Sequence, residues 1–310
     1  MHASTKEDAL ALRSEIVRRD KAFVWHPYTP MDVYEALDPF VIARAEGVYL
    51  EDVDGRRYID ANSSWWVANL GHRHPRICAA LVQKSESLLH CSLAGTTHED
   101  AAFLAEELLA IAPPGLERVF YSDNGSTAIE VAIKASIQGW AQLGKPQKKR
   151  FVALDGAFHG DTLGVTALGG VEFFRRPFAD VVMECARVPF PSAEGYEAAF
   201  AAISDLVTRE HESIAAIVVE AIVQGAAGMR TYPAKYLREL RALCTQFDVF
   251  LVVDEVFSGY GRTGPFFACE HAGITPDFLC IGKAFASVLP MAATLCTKRI
   301  EQAFRGARDQ

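Results

Sequence analysis

The feature that most constrains this chain is a series of short apolar runs, each bounded by turn residues. The runs VFY, FVAL, AAIVVEA, VFLVVDE and DFLCIG begin at residues 119, 151, 215, 249 and 277. Runs of this length without polar alternation fit strands buried on both faces. Helical patterns occupy about 99–112, 126–142, 194–210 and 234–246. Such alternation predicts an α/β fold with a mostly parallel central sheet flanked by helices.

Two of the runs end in groups that carry chemistry. Asp254 closes the apolar LVV of LVVDEVFSGYGRTG, and Lys283 follows the FLCI of FLCIGKAF. In open α/β sheets the ligand crevice lies outside the carboxyl ends of the strands. An acid and an amine are therefore expected at one crevice. That pairing suits pyridoxal 5'-phosphate, which needs a lysine for a Schiff base and an acid for its pyridinium nitrogen. Each residue alone has an ordinary reading as a polar strand end.

A third segment adds to the pair. In FYSDNGSTAIEVAIKASIQGW a strand leads through an Asn-Gly turn into a helix with Ile129, Ala132, Ile133 and Ile137 on one face. A Gly-Ser helix start offers backbone N–H groups, a hydroxyl and the positive end of the helix dipole, which suits a phosphate monoester. Ser126 by itself is better read as an ordinary helix N-cap.

The rest of the chain sets bounds. It has 310 residues, 50% of them hydrophobic and 23% charged, with a net charge of −8. That supports a substantial core, and the scattered basic residues argue against nucleic-acid binding. The run KPQKKR reads as a solvated loop. No stretch has the length and apolarity of a membrane span or the apolar core of a signal peptide. Seven cysteines without a C-x-x-C pair fit buried thiols in a reducing cytoplasm. No metal site is expected. Towards the N-terminus, residues near 5–22 read as a helix. WHPYTP reads as an extended aromatic segment, and FVIARAEGVYLEDVDGRRYIDA as strands with a hairpin turn at Asp54-Gly55. The doublet in SSWW is also unusual. In an extended segment adjacent tryptophans point oppositely, so both cannot face one core.

Taken in order, SDNGSTAIEVAIK, FHGDTLG, VDEVFSGYGRTG and IGK resemble the class III aminotransferases of fold type I. The resemblance runs from about Trp25 to Thr297. It implies a homodimer and the cofactor pyridoxal 5'-phosphate. Lys283 matches the Schiff-base lysine and proton shuttle, Asp254 the acid at the pyridine nitrogen, and Gly125 and Ser126 the phosphate cup. Phe158 matches the aromatic that stacks on the cofactor ring. Tyr28, Trp65 and Trp66, with Phe158, match substrate-binding positions. His159, Glu220 and Gln224 are expected beside the cofactor rather than on it, with His159 a hydrogen-bonding support.

WHPYTP and SSWW are similar to segments of the biotin-biosynthesis branch of that family. This implies amino transfer to 8-amino-7-oxononanoate, giving 7,8-diaminononanoate, with S-adenosylmethionine as the donor. Another ω-amino acid or diamine aminotransferase is the alternative, because it shares every cofactor residue.

Four departures stand against the resemblance. Phe158 replaces a common Tyr. Glu220-Ala221 replaces Glu-Pro. AFASVLPMAAT follows Lys283 without the usual glycine pair, a change expected to disturb the amine. The chain also stops at Gln310, before the family's cross-subunit phosphate-binding threonine and its small C-terminal domain with the carboxylate-binding arginine. The expected organisation is an N-terminal helix and β segment over 1–60 and an incomplete cofactor-binding large domain over 61–310, with the C-terminal small domain absent. A catalytically impaired remnant is therefore also a reading.

Overall fold

In the computed structural model residues 6–306 are described. The chain divides into two units, Met1–His90 and Cys91–Gln310. The expected division after residue 60 differs by the stretch 61–90. Its early part is tied to the preceding strands, because Asp60 pairs with His72 and Gly47 forms a backbone bridge to His72.

The first unit opens with a helix over Lys6–Phe23; Thr5, where the expected helix begins, lies outside the described residues. Three antiparallel strands follow: β1 Ile42–Glu46, β2 Tyr49–Asp52 and β3 Arg57–Ile59. Asp54-Gly55 turns β2 into β3, as the sequence indicates. Asp52 fixes that turn by accepting from the backbone N–H groups of Asp54 and Arg56. This unit also holds short helical segments over Met31–Ala36 and Ser63–Trp66 and a longer helix over Pro75–Ser85.

The second unit is built on a seven-stranded sheet. In chain order its strands are β4 Leu116–Ser122, β5 Arg150–Leu154, β6 Cys185–Val188 and β7 Ile214–Glu220. A small hairpin of β8 Val223–Gln224 and β9 Arg230–Thr231 stands outside that sheet. The sheet resumes with β10 Phe250–Asp254, β11 Phe278–Ile281 and β12 Ala292–Thr297. The spatial order is β4-β12-β11-β10-β7-β5-β6. Only β12 runs against its neighbours. Each of the five expected apolar runs overlaps one strand of this sheet, and the four expected helices form within two residues of their anticipated bounds. The sequence reading did not anticipate β6 or β12.

Both faces of the sheet are covered, which is why its strands read as continuous apolar runs. Phe250 and Val252 pack towards the helix Gly125–Gln142, whose Ile129, Ala132 and Ile133 are buried and whose Ile137 is partly buried. Leu251 and Val253 pack on the opposite face with the helices Tyr196–Glu210 and Ala234–Gln246. The parallel register pairs Asp254 with Glu220, so both project to the face of Phe250 and Val252. Glu255 falls on the other face.

Phe250 anchors the first of these layers. It is fully buried, stacks on Trp140 at 4.2 Å and meets Phe278 edge-on at 6.0 Å. Phe250→Ala is expected to cost about 3–5 kcal/mol of stability, read from the shift in urea midpoint. A loss well under ~1 kcal/mol would contradict the placement of this core.

Candidate active site

All the candidate residues of the second unit follow the carboxyl ends of strands. Gly125 and Ser126 come after β4, Phe158 and His159 after β5, Glu220 and Asp254 end β7 and β10, and Lys283 lies two residues past β11. These strands run in one direction, so a single edge of the sheet carries the set.

Buried polar groups form the centre of the site. Asp254 Oδ2 lies 2.7 Å from His159 Nδ1, and Asp254 Oδ1 accepts from the Val256 N–H at 2.9 Å. Both side chains are almost fully buried. Glu220 accepts from the N–H groups of Phe158 and Gly225, each at 3.0 Å, while its carbonyl accepts from the Tyr232 hydroxyl. Gln224 donates to the carbonyl of Asp155 at 3.1 Å. His159 therefore bonds to the acid itself, and Glu220 and Gln224 hold the loop that carries Phe158. The Phe158 ring is half-buried and tilts against Phe174 at 5.3 Å.

The electrostatics follow from this burial. Burial pushes the Glu220 carboxyl up to about 7. The neighbouring Asp254 adds to the rise, while His159 and the two N–H donors oppose it. Burial alone pulls the His159 imidazole down, but its hydrogen bond to Asp254 and the two carboxylates push it up, and the balance lies above an ordinary histidine. Burial likewise lowers the Lys283 amine, with Arg262 adding to the drop and Asp254 and Glu220 opposing it. A lowered amine has more of the neutral, nucleophilic form near neutral pH. Lys283 also stands over the Phe257 ring at 5.5 Å.

The helix start has a defined geometry. Its N-cap is Asn124, not Ser126. Asn124 accepts from Thr127 N–H, and the Thr127 hydroxyl accepts from Asn124 N–H, each at 3.1 Å. The DNGST pattern, with a capping residue three positions before Thr127, is the sequence signal for this. Relieved of capping, Ser126 Oγ accepts from the Asp161 N–H at 3.3 Å. Two glycines let the surrounding loops close in. A Cβ on Gly125 would lie 2.5 Å from Val256, and one on Gly160 would lie 1.9 Å from Ser126 Oγ.

Two of the sequence departures acquire physical content. Ala221, where proline is usual, donates its N–H to the Asp254 carbonyl at 3.2 Å, a bond proline cannot make. After Lys283 the chain turns without a glycine pair. Ala286 and Ser287 N–H groups close on the Lys283 carbonyl, and Lys283 and Ser287 take φ of 45° and 55°. Non-glycine residues there carry about 1–2 kcal/mol of strain each. Glu255 was not singled out in the sequence. Fully buried, it accepts from Ser258, Ala268 and Cys269 and pins the far end of the loop that follows β10.

The remaining candidates, Tyr28, Trp65 and Trp66, belong to the first unit. Tyr28 and Trp65 stack at 5.8 Å, and Trp65 meets Trp66 edge-on at 6.0 Å. The SSWW segment is not the extended stretch that its sequence suggests. Ser63–Trp66 all have positive φ, between 47° and 66°, a single left-handed turn. Adjacent tryptophans can therefore meet. Trp65 is 55% and Tyr28 54% exposed, so these rings are not core residues.

Comparison with known proteins gives the family and the fold. The family model for aminotransferase class-III matches residues 31–308. The chain belongs to the class-III aminotransferase family. The adenosylmethionine-8-amino-7-oxononanoate aminotransferase of Aquifex aeolicus is 39% identical over 298 residues, covering 93% of this chain and 66% of that relative. The crystal structure of the enzyme of the same name from Methanocaldococcus jannaschii superposes with a TM-score of 0.91 at 34% identity, covering 95% of this chain and 68% of that one. An amine transaminase from an uncultivated Pseudomonas species, solved in its PLP-bound internal aldimine form, gives a TM-score of 0.87 at 30% identity, covering 92% and 68%. This class-III aminotransferase chain thus spans about two thirds of the length of the relatives it matches. The parallel sheet and flanking helices expected from the sequence are those of the solved family members.

The raised Glu220 carboxyl has a definite pH consequence. The folded state holds this proton more tightly than the unfolded chain does. Its contribution to stability is full below the ordinary glutamate value of 4.5 and is lost as pH rises through about 7. Denaturant titrations from about pH 5 to about pH 8 are therefore expected to show wild type losing stability relative to Glu220→Gln as pH rises. A difference that does not change with pH would contradict the burial of this carboxyl.

Proposed function

We propose that this chain carries the pyridoxal-phosphate site of an aminotransferase that moves an amino group to 8-amino-7-oxononanoate, giving 7,8-diaminononanoate, with S-adenosylmethionine as donor. One observation supports the chemistry above all: the Asp254–His159 pair, Glu220, the Gly125–Ser126 helix start and the Lys283 amine occupy one edge of the sheet. The residues fit the cofactor. The His159 Nε2 is buried and has no partner among the described residues, and the glycine-lined approach of loops at Ser126 shapes a cradle that a Cβ would fill.

In this reading the start of the helix at Gly125 and Ser126 holds the phosphate, and Phe158 covers the ring. Asp254 holds the proton on the pyridine nitrogen, and His159 keeps the Asp254 carboxylate oriented through its hydrogen bond. Bound there, the cofactor supplies an electron sink for bonds at the carbon that carries the amine. Lys283 anchors the cofactor and afterwards carries protons on its Nζ; its lowered basicity suits both tasks. Glu220 and Gln224 steady the loop beneath the cofactor. Tyr28, Trp65 and Trp66 bind the long aliphatic substrate and the adenine of the donor through aromatic faces.

The substrate assignment rests on the relatives named for that reaction and on the WHPYTP and SSWW segments. We read the protein as a cytoplasmic homodimer acting on small molecules, not on nucleic acid or membranes. Among the described residues no helix is long and apolar enough to cross a membrane. A second reading, an ω-amine aminotransferase, is favoured by the likeness to the amine transaminase structure.

Turnover assays decide between them. Wild-type chain with pyridoxal phosphate is expected to aminate 8-amino-7-oxononanoate with S-adenosylmethionine, and Lys283→Ala to lose at least roughly 10²–10⁴-fold in rate. Turnover of simple ω-amines without 8-amino-7-oxononanoate would install the second reading. Undiminished turnover by Lys283→Ala would sink both.

A further inference from the structure

The first unit contains a feature that neither the cofactor chemistry nor the family assignment explains. Its exposed aromatic rings sit on backbone that their residue types disfavour. Tyr28 has φ 54°, and Ser63, Ser64, Trp65 and Trp66 have φ of 51°, 47°, 66° and 66°, with no glycine among them. Strain of this kind persists only where the surroundings over-determine it. Burial does not supply the compensation here, since Tyr28 and Trp65 are more than half exposed.

Hydrogen bonds supply it, and they follow one design twice. Asp60 Oδ2 accepts from the Ser64 hydroxyl at 2.8 Å and lies 2.8 Å from His72 Nε2, while the Asp60 carbonyl accepts from Ser63 N–H. Asp60 is 8% and His72 18% exposed. The backbone of His72 is in turn paired in both directions with Gly47, in the turn between β1 and β2. The left-handed turn is thereby tied to the three-stranded sheet. In the second instance Asp20, on the first helix, lies 2.9 Å from His26 Nε2 and accepts from the Tyr34 hydroxyl at 2.5 Å. The rings of His26 and Tyr34 are 4.2 Å apart. This holds the WHPYTP turn two residues before Tyr28, whose ring stacks on Trp65.

We infer that Asp60–His72 and Asp20–His26 are latches, positioning residues that hold Tyr28, Trp65 and Trp66 as a preformed aromatic platform. The platform takes a ligand with a flat ring or a long aliphatic chain. Its binding role rests on the substrate reading above, whereas the latches do not.

The test uses the full chain and a readout independent of turnover. Two indoles 6.0 Å apart are expected to give an exciton couplet in circular dichroism. Trp66→Phe assigns that couplet by abolishing it. Asp60→Ala and His72→Ala are expected to lose the couplet. Asp60→Asn, which still accepts from Ser64 and His72, keeps it. Should Asp60→Ala not fold, His72→Ala and Ser64→Ala carry the test, because each removes one partner and leaves the carboxylate. Titration with 8-amino-7-oxononanoate, followed by tryptophan quenching, is expected to weaken about tenfold or more in Asp60→Ala and in His26→Ala, the latter with its couplet intact. A couplet that persists in both Asp60→Ala and His72→Ala overturns the first latch. Unchanged quenching in His26→Ala overturns the second. If wild type shows the couplet and Asp60→Ala loses it, while neither binds 8-amino-7-oxononanoate, the first latch stands and the substrate assignment falls.

Discussion

A carboxylate buried at a strand end must be paired, and the pairing of Asp254 with His159 organises the rest of the site. One oxygen of Asp254 is held by the backbone N–H of Val256 and the other by the imidazole. The parallel register then places Glu220 beside Asp254 on the same face. Two carboxyl groups so close in low dielectric cannot both ionise at no cost. The structure answers with a basic imidazole bonded to Asp254 and an elevated Glu220, and the nearby lysine feels both acids. The sheet sets where Asp254 and Glu220 sit, and side-chain hydrogen bonds hold His159 and its loop against them.

The sheet also explains why loops with different sequences meet. Strands β4, β5, β7, β10 and β11 end on one edge, and each delivers one element: a helix start, an aromatic-histidine pair, a carboxyl, a second carboxyl and an amine. Close approach between those loops depends on glycine at positions 125 and 160. Glu255, one residue after Asp254, projects to the opposite face and fastens the following loop from below. Adjacent acids in the sequence thus do unrelated jobs, because strand side chains alternate.

Much of this was legible in the residues. The buried strands announce themselves through unbroken apolar runs such as AAIVVEA, and the helix at 125–142 through Ile129, Ala132 and Ile133. Other features carry weak local signals. Strand β12 is the Ala- and Thr-rich AATLCT, whose strand identity comes from pairing between β4 and β11 rather than from its own propensity. The left-handed turn at Ser63–Trp66 breaks the expectation for non-glycine residues, so no local pattern could announce it. Its cause, the bond from Asp60 to His72, spans twelve residues and becomes visible only once the strands are paired. Asn124 was readable as a cap but is overshadowed by the adjacent Gly-Ser.

The central claim is that Lys283 is the residue that receives pyridoxal phosphate at this edge of the sheet. The most direct measurement adds the cofactor to the purified chain, records the visible spectrum, reduces with borohydride and maps the labelled peptide. The account predicts a visible band that borohydride bleaches, with the pyridoxyl group fixed on the peptide containing Lys283. No band, or a label spread over other lysines with Lys283 unmodified, would contradict it.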